Sequence, residues 1–455
     1  MEHIKSSNSL LEKYNTRVPR YTSYPTVPHW NTIPPTQEQW FSLLRENYKS
    51  KDGFSLYIHL PFCEALCTYC GCNKRITKNH AVESPYINAV IKEWKIYLNE
   101  LEERPIIREI HLGGGTPTFF SPSQLNRLIS TIIDTSTLTK DADLSFEAHP
   151  SSTTYEHLST LKKLGFSRIS IGVQDVSPEI LKAINRHQTI DQINDVTNWA
   201  RSLRYTSVNY DIIYGLPFQQ DHNITQTIKL IADNKPDRIA LYSYAHVPWK
   251  STSQRAFTIN DIPKGQEKAR LFQLSKTLLK TLGYKSVGMD HFCLEDDALY
   301  QSFITGNMHR NFMGYTPNFT KCSIALGTSS ISDAWNVYVQ NEKKVETYQE
   351  IINTGKLPII KGHLLSNEET LMRKTFLDLM CKNEIELNQN DKKFNLIKPY
   401  LENLTELSDD GLVKLYDQKI KVTEKGQLFI RNICSSIDPL FQNTESTKEL
   451  FSSAI

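Results

Sequence analysis

Long hydrophobic runs are missing from this sequence of 455 residues. No apolar stretch approaches the roughly 20 residues that a membrane-spanning helix needs. The segment from Met1 to Ser6 also lacks the apolar core of a signal peptide. We therefore expect a cytoplasmic protein without a membrane partner.

A marked excess of charge of either sign is missing as well. The chain has 52 Lys and Arg against 50 Asp and Glu, and its formal net charge is +2 at pH 7. Such a balance gives the whole molecule no general attraction to nucleic acids or anionic membranes. We expect no nucleic-acid partner and take a monomer as the default. Any basic site must be local.

Cysteine is scarce and unevenly placed. Four of the eight cysteines, Cys63, Cys67, Cys70 and Cys72, lie within ten residues of each other. A disulfide framework would be unusual in a large chain that lacks a secretory signal. The scattered cysteines are therefore expected to be buried thiols, whereas the clustered ones need another explanation. The scattered set is Cys293, Cys322, Cys381 and Cys434.

Short β-rich runs alternate with helical patterns through the middle of the chain. This alternation predicts an α/β fold, a parallel sheet with right-handed crossovers. Six such units predict an open or incomplete (β/α)6 barrel, because a closed barrel needs eight. The predicted strands are Phe54–His59, Ile107–Leu112, Ala142–Glu147, Arg168–Val173, Ser207–Tyr214 and Arg238–Tyr244. The predicted helices between them are Tyr86–Leu101, Pro122–Ile133, Thr154–Leu164 and Ile190–Leu203.

The two ends of the chain differ from this middle part. We predict an extended N-terminal arm over residues 1–50, a large α/β domain over 51–360 and a C-terminal domain over 361–455. Within the α/β domain, residues 264–291 are predicted as a helix followed by a strand, and residues 305–335 as loop-rich.

The C-terminal domain is predicted to be mainly helical and similar to a winged helix. Its mixed charges favour a structural lid over a DNA-binding module. The predicted elements are helices over Asn367–Met380 and Asp391–Leu407, a hairpin over Gly411–Val422, and a final helix from a Thr423 cap through Ile433.

Residues that could bind ligands or take part in catalysis follow each predicted strand of the α/β domain. Because the carboxyl ends of parallel strands share one rim, these residues are expected to form one site. A carboxylate there can pair with an amino group or bridge hydroxyls, and an arginine can hold a carboxylate. The structural alternatives to ligand binding are that the carboxylate caps the next helix and that the arginine is a solvated cation at a helix end. In chain order the strand-end residues are Cys63, Gly113 to Thr116, Glu147, Gln174, Asp211, and Ala245 with His246.

The clustered cysteines have the spacing Cys63-x-x-x-Cys67-x-x-Cys70. A 4Fe–4S cluster normally takes four cysteine ligands. If only three are supplied, one iron stays open, and the amino and carboxylate groups of S-adenosylmethionine can chelate it. The spacing therefore favours a radical S-adenosylmethionine enzyme with one 4Fe–4S cluster at these three residues.

Other interpretations of the cysteines stay open on spacing alone. A zinc site favours two CxxC-like pairs, and the sequence has no second pair. An electron-transfer cluster could take Cys72 as its fourth ligand, which would close the open iron. A coincidence of spacing is the third alternative.

The residues around the cysteines carry a closer resemblance. The sequence resembles the oxygen-independent coproporphyrinogen III oxidase family from about Tyr14 to Cys434. The motifs that carry it are Tyr57-x-His59-x-Pro61-Phe62-Cys63, Cys67-x-Tyr69-Cys70-Gly71-Cys72-Asn73-Lys74, Gly113–Thr118, Gly172–Asp175, Asp211–Pro217, Tyr244–Pro248, Gly288–Phe292, His309–Phe312 and the arm Pro19–Pro25.

The resemblance implies a function and a set of contacts. It implies that a 5′-deoxyadenosyl radical starts the decarboxylation of two propionates of coproporphyrinogen III to vinyl groups, giving protoporphyrinogen IX in haem synthesis. It also implies two S-adenosylmethionine molecules, a reductant and an electron acceptor, the last two unidentified. The first S-adenosylmethionine would contact Tyr57, Tyr69, Gly114, Glu147 and Ile331. The second would contact Gly115, Thr116, Gln174, Arg186, Asp211 and Ala245.

Some positions depart from the family or leave a choice. Better-known members have glutamine where this chain has Met313, and a thioether cannot make that amide's hydrogen bonds. Arg20 and Arg310 are candidates for contacts with propionates or are ordinary surface arginines. The alternative function is a haem chaperone on the same radical scaffold. The haem chaperones lack three features that are present here: Cys70-Gly71-Cys72 at the end of the cysteine motif, the Arg20–Pro25 arm and the His309–Phe312 segment.

Overall fold

The computed structural model describes residues 10–101, 104–248, 252–444 and 451. Residues 1–9 of the predicted arm and residues 445–450 and 452–455 of the predicted C-terminal domain lie outside the described residues. Among those described, no helix has both the length and the apolar character that crossing a membrane requires.

Six parallel strands, adjacent in chain order, form the centre of the protein, as the alternating pattern predicted. The third begins at Thr137 rather than Ala142, because residues Thr137 and Leu138 pair with Ile106 and Ile107 beyond a register shift. We number these parallel strands first to sixth. Their bounds are Phe54–Leu60, Ile106–Gly114, Thr137–Ala148, Arg168–Gln174, Ser207–Tyr214 and Arg238–Ser243.

The sheet continues beyond the six parallel strands on both sides. Ser323–Leu326 lies parallel to the first strand, and His291–Cys293 lies antiparallel to the sixth. The sheet then extends through antiparallel neighbours to its edges. The incomplete barrel stays an interpretation of this topology. The remaining strands of the sheet are Lys285–Val287, Ile331–Asp333, Val337–Asn341 and Ile359–Leu364.

Most of residues 305–335 lies outside regular elements, as predicted, but four short strands that the sequence analysis missed lie within it. This segment contains strands His309–Asn311, Gly314–Thr316, Ser323–Leu326 and Ile331–Asp333. Each strand is only three or four residues long. Runs this short give almost no alternation signal, so the glycines and asparagines of the turns dominate the pattern.

Helices cover the sheet, and some of them start at side-chain caps. Thr154 accepts a hydrogen bond from the His157 amide at 3.3 Å, and Thr189 accepts one from the Gln192 amide at 3.2 Å. The four predicted helices are confirmed to within three residues at either end. The helices of this region are Glu83–Leu98, Pro122–Asp134, Tyr155–Lys163, Pro178–Ala183, Ile190–Ser202, Asp221–Asn234, Gly265–Thr281, Ala298–Ile304 and Val345–Asn353.

The first fifty residues are not extended throughout, so that expectation is wrong in part. Gln37–Asn47 is a helix that begins with a capping box at Thr36. Its Trp40 and Leu44 are buried in the same core as the parallel strands. The apolar residues of this segment are therefore spaced with the period of a helix rather than that of an extended arm. The domain boundaries at residues 50 and 360 stay predictions.

The C-terminal region combines short helices with a three-stranded antiparallel sheet. The predicted hairpin is confirmed, and Glu384–Glu386 adds a strand to it. The predicted continuous helix over Asp391–Leu407 is wrong, because a 3-10 segment that starts next to Pro399 interrupts it. The elements are helices Asn367–Lys382, Lys392–Ile397, Thr405–Asp409, Ile430–Ser436 and Pro439–Gln442, and strands Val413–Tyr416 and Lys419–Val422.

Apolar residues between Leu10 and Tyr24 pack into the core of this C-terminal region. The hydroxyls of Tyr21 and Tyr24 donate to Asp438 at 2.9 and 3.0 Å. Arg431 donates to the carbonyl of Pro19 at 3.0 Å, and Arg310 donates to the carbonyl of Tyr21 at 2.5 Å. Arg310 thus holds the arm through backbone contacts.

Candidate active site

The cysteine loop leaves the carboxyl end of the first parallel strand. Phe62–Cys63 and Arg75–Ile76 form a short parallel pair at its base. The Arg75 amide donates to Pro61 O at 2.8 Å, and the Thr77 amide donates to Cys63 O at 2.9 Å. The two ends of the loop are therefore held together next to the end of the first strand.

This loop forms one wall of a cavity of about 540 Å³ at the carboxyl end of the parallel strands. The strand-end pattern predicted a site at this rim. The cavity brings together most of the residues predicted to bind the cofactors: Cys63, Cys67, Tyr69, Cys70, Gly114, Gly115, Thr116, Glu147, Gln174, Arg186 and Asp211. We call it the cluster cavity.

Glycine is required at the end of the second strand. A Cβ on Gly114, whose φ is +115°, would lie 2.7 Å from the ring of His59. A Cβ on Gly115 would lie 2.5 Å from the carbonyl oxygen of Pro61. The backbone therefore lies directly against its neighbours here and lines the cavity without side chains.

Hydrogen-bond donors and positive charge surround the thiols. Thr116 Oγ1 donates to Cys63 Sγ at 3.3 Å, and Arg186 Nη1 lies 3.7 Å from Cys67 Sγ. A hydrogen bond from Cys72, aided by Lys74, lowers the pKa of Cys70 to about 6, although burial opposes this. These surroundings favour the thiolate of Cys70, the form that binds metal. At Cys63 burial outweighs the hydrogen bond from Thr116 and raises the pKa to about 11.

The donor set fits a 4Fe–4S cluster. Three thiols of one loop face one cavity. The cluster's cysteine ligands bind separate irons, so they need not converge on one point. In the described part of the chain, no three His, Cys, Asp or Glu side chains are grouped to hold a single metal ion. Cys72 lines the same cavity, so its role has to be tested by substitution.

Glu147 is held by the second strand. Its Oε2 accepts the Gly114 amide at 3.2 Å, and its Oε1 lies 3.6 Å from His111 Nε2. Burial opposes its ionisation, but the hydrogen bond and charge of His111 and the Gly114 amide outweigh it, so its pKa is lowered. Glu147 is thus a carboxylate that faces the cavity rather than a helix cap.

Asp211, on the fifth strand, lies in a different environment. It accepts Ser170 Oγ at 2.8 Å and Asn209 Nδ2 at 2.9 Å. Burial raises its pKa to about 6, although Ser170 partly offsets this effect. The two carboxylates of the cavity therefore differ in how readily they take up a proton.

Arg186 is not the solvated helix-end cation of the structural alternative. It is 7% exposed. Its guanidinium donates to Gly172 O, to Tyr69 Oη at 3.1 Å and to Gln188 Oε1 at 2.7 Å. Arg186 therefore ties the cysteine loop to the fourth strand.

Three predicted contact residues lie outside the wall of the cluster cavity. The hydroxyl of Tyr57 lies 3.0 Å from His59 Nδ1, and its ring stacks on His111. The carbonyl of Ala245 accepts a hydrogen bond from Gln254 Nε2 at 3.1 Å. Ile331 begins a strand on the far side of the first strand. Tyr57 nevertheless lies beside Glu147, because a Cβ on Gly113 would be 3.0 Å from atoms of both side chains. Gln254 also links Ala245 to Tyr69. Ile331 has no such link among the described hydrogen bonds.

Met313 lines a smaller cavity of about 120 Å³. Side chains of the second to sixth strands enclose this space, which shares Glu147, Asp211 and Tyr242 with the cluster cavity. The Met313 amide donates to Asn311 Oδ1 at 2.9 Å. Met313 therefore lines a space next to the cluster cavity.

Other residues of the cluster cavity escaped the sequence analysis. His149 and Tyr242 line it, and Lys74 Nζ donates to the carbonyl of Cys70 at 3.1 Å. His149 lies two residues after Glu147, so the period of a strand could have pointed to it. The lysine gave no signal beyond its position beside the cysteines.

Comparisons with known proteins agree with this geometry. The model of the radical SAM superfamily matches residues 57–231. A relative from Synechocystis sp., an oxygen-independent coproporphyrinogen III oxidase, is 34% identical over 99% of this chain and 98% of its own length. A relative of the same name from Pseudomonas aeruginosa is 34% identical over 96% of each chain.

A solved structure is also similar. Coproporphyrinogen III oxidase from Escherichia coli, described as a radical SAM enzyme, superimposes with a TM-score of 0.87 at 32% identity. The match covers 92% of this chain and 97% of that one. Fold and site together define a radical SAM enzyme, a class that uses a 4Fe–4S cluster and S-adenosylmethionine. Within that class, the chain belongs to the oxygen-independent coproporphyrinogen III oxidase family.

Proposed function

We propose that the protein catalyses the anaerobic oxidative decarboxylation of two propionates of coproporphyrinogen III to vinyl groups. The product is protoporphyrinogen IX, an intermediate of haem biosynthesis. One observation carries this proposal: Cys63, Cys67 and Cys70 face the same cavity as Glu147 and Asp211, in a chain that matches oxidases of this name over nearly its whole length.

Cys63, Cys67 and Cys70 would hold one 4Fe–4S cluster. Together with S-adenosylmethionine, the bound cluster supplies a 5′-deoxyadenosyl radical that removes a hydrogen atom from the β-carbon of a propionate. We propose two S-adenosylmethionine molecules at the site. The proposed contacts are Tyr57, Tyr69, Gly114, Glu147 and Ile331 for one and Gly115, Thr116, Gln174, Arg186, Asp211 and Ala245 for the other.

The chain's own groups orient these molecules. Glu147, with its lowered pKa, presents a negative charge to the cationic amino group or sulfonium of S-adenosylmethionine. Asp211, with its raised pKa, suits hydrogen bonds to hydroxyls. Arg186 keeps Tyr69 and the cysteine loop against the fourth strand. The side-chain-free glycine backbone lets a ligand approach the second strand closely.

Electron balance requires two further partners. One electron from a reductant is needed for each radical that forms. After hydrogen abstraction, the bond to the carboxylate carbon breaks, carbon dioxide leaves, the vinyl double bond forms and one electron passes to an acceptor. No motif in the sequence specifies the reductant or the acceptor. The monomeric state and the cytoplasmic location stay predictions.

The assay uses anaerobically reconstituted protein, coproporphyrinogen III, S-adenosylmethionine and a strong reductant. We expect substrate-dependent formation of 5′-deoxyadenosine and, after oxidation, of protoporphyrin. Formation of 5′-deoxyadenosine without protoporphyrin would contradict the substrate and keep the radical chemistry. A haem titration tests the alternative, because tight stoichiometric haem binding without turnover would favour a chaperone.

A further inference from the structure

A second cavity concentrates positive charge. It has a volume of about 250 Å³ and lies where the N-terminal arm meets the end of the sixth strand. Arg17, Arg20, Lys264, Lys268 and Arg431 line it, and its described lining residues include no Asp or Glu. We call it the cationic cavity. In a chain of nearly balanced charge, such a concentration indicates a site for anions.

The cations are positioned by the backbone around them. Lys268 Nζ donates to Tyr244 O at 2.9 Å, and Arg431 donates to Pro19 O at 3.0 Å. Arg20 donates to Asp290 at 3.1 Å. The amino-terminal end of helix Gly265–Thr281 also lines the cavity, and the positive end of the helix dipole lies there.

The cations also act on one another. Burial, Arg431 and Arg20 lower the pKa of Lys268 to about 7. Burial and Arg20 lower the pKa of Arg431 to about 9. An anion bound between these groups would relieve their repulsion and favour their charged forms.

The cationic cavity is close to the cluster cavity. Ala245 lines the former and Tyr69 lines the latter. The buried Gln254 donates to Ala245 O at 3.1 Å and to Tyr69 O at 3.3 Å. One amide side chain thus bridges the backbone of the two walls, which places the cations within the span of a large ligand whose reacting end lies at the cysteines.

We propose that the cationic cavity binds carboxylates of the tetrapyrrole's propionates that are not reacting. This inference rests on the proposed function. The substrate carries four propionates and the product keeps two, so both carry carboxylates that must be accommodated away from the radical. Lysine and arginine side chains recognise such carboxylates through charge-assisted hydrogen bonds.

The test measures binding of fluorescent porphyrins to the reconstituted holoenzyme. Coproporphyrin III has four carboxylates and protoporphyrin IX has two, while the tetramethyl ester of coproporphyrin III has none. Loss of one charge-assisted contact corresponds to about a tenfold rise in Kd. We expect Lys268→Met to raise the Kd of both acids by about this factor, and wild type to bind the ester weakly.

Matched variants separate charge from folding. Lys280→Met removes an exposed cation of the same helix outside the cavity and is expected to leave both Kd values unchanged. Lys268→Arg keeps the charge and is expected to restore most of the affinity. If Lys268→Met does not fold, the double variant of the exposed Arg17→Ala and Lys264→Ala replaces it, with the same expected rise.

The outcomes are distinct. Unchanged Kd values for both acids would overturn the assignment of the cationic cavity. Weaker binding of coproporphyrin III alone would also overturn it, because the cavity would then hold a reacting propionate. If wild type binds neither acid, the proposed function itself is contradicted.

Discussion

The two cavities lie on either side of Gln254 but differ in their chemistry. The cluster cavity combines thiols with carboxylates and Arg186, whereas the described charged groups of the cationic cavity are cations. A mixed set of groups suits a ligand that itself carries both signs of charge and takes part in redox chemistry. A set of one sign suits recognition of carboxylates. The difference indicates that reaction and recognition are assigned to two separate, neighbouring cavities.

The cavities also differ in how the chain builds them. The cluster cavity is assembled from successive strand ends of one sheet. The cationic cavity joins Arg17 and Arg20 of the arm, Lys268 of a central helix and Arg431 near the other end of the chain. It forms only when both ends of the chain pack together, so the two cavities should respond differently to substitutions.

Substitution of the cluster ligands should have the largest effect and should be confined to the cluster cavity. We expect Cys63→Ser, Cys67→Ser and Cys70→Ser each to lose the cluster and all cleavage of S-adenosylmethionine, because three thiolates are the minimum set. Iron content, the visible absorbance of the cluster and 5′-deoxyadenosine formation measure this loss.

Cys72→Ser is the matched control for those variants. It should keep the cluster and the cleavage activity, since an open iron must remain for the ligand. Loss of the cluster in Cys72→Ser would instead show a closed cluster and would support an electron carrier.

The next largest effect is expected from Glu147→Gln. The amide keeps the size of the side chain but removes the charge that faces the cavity, so binding of S-adenosylmethionine should weaken by about 100-fold. Equilibrium dialysis against the reconstituted protein measures it. Glu109→Gln is the control, because Glu109 is a buried carboxyl of the same strand system that contacts Ser55 and Thr316 instead. An equal loss in both variants would contradict the role of Glu147.

The arm's attachment at Asp438 should show a moderate effect of pH on stability. Burial raises the pKa of Asp438 to about 6, and Tyr21 and Tyr24 offset part of this rise. Because the folded-state pKa lies above the unfolded value, the stabilisation by protonation is full below about pH 4 and is lost as pH rises through about 6. Ionisation at pH 7 then costs up to about 3 kcal/mol.

Asp438→Asn removes this titration. We expect the free energy of unfolding of the wild type to fall relative to that of Asp438→Asn between about pH 4 and about pH 7. Denaturant unfolding at several pH values measures the difference. Asp410→Asn should show the opposite sign, a smaller size and a pH range below about 4. Lys13 and Tyr14 hold the pKa of the more exposed Asp410 below its usual value, against a burial effect that would raise it. A difference that does not change with pH would contradict the assignment.

The smallest effect is expected from a substitution of Met313. Met313→Gln restores the residue of better-known family members within a cavity of about 120 Å³. The two side chains have similar lengths, so we expect kcat/KM for coproporphyrinogen III to change by less than about threefold, or under about 0.7 kcal/mol. A larger change would show that the amide makes a contact in the reaction.

The sequence predicted the part of the site that repeats a local pattern. Alternating strands and helices placed Cys63, Glu147 and Asp211 at the ends of the first, third and fifth strands, and the structure has them on one cavity. The periods of strands and helices and the rule for parallel strand ends suffice for this result.

The cationic cavity could not be predicted in the same way. Lys268 lies in a long helix and Arg431 in a short, mostly buried one, and only packing of distant segments makes them neighbours. The same holds for Arg310, whose partners are backbone carbonyls of the arm rather than groups marked in the sequence. Tertiary contacts between distant segments leave no periodic signal.

The most direct test of the central claim follows a hydrogen atom. Coproporphyrinogen III deuterated at the β-carbons of its propionates is incubated with the reconstituted enzyme, S-adenosylmethionine and reductant under anaerobic conditions. We predict that 5′-deoxyadenosine gains one deuterium for each vinyl group formed, as measured by mass spectrometry. Protoporphyrinogen formation with unlabelled 5′-deoxyadenosine would contradict abstraction from the propionate β-carbon at this site.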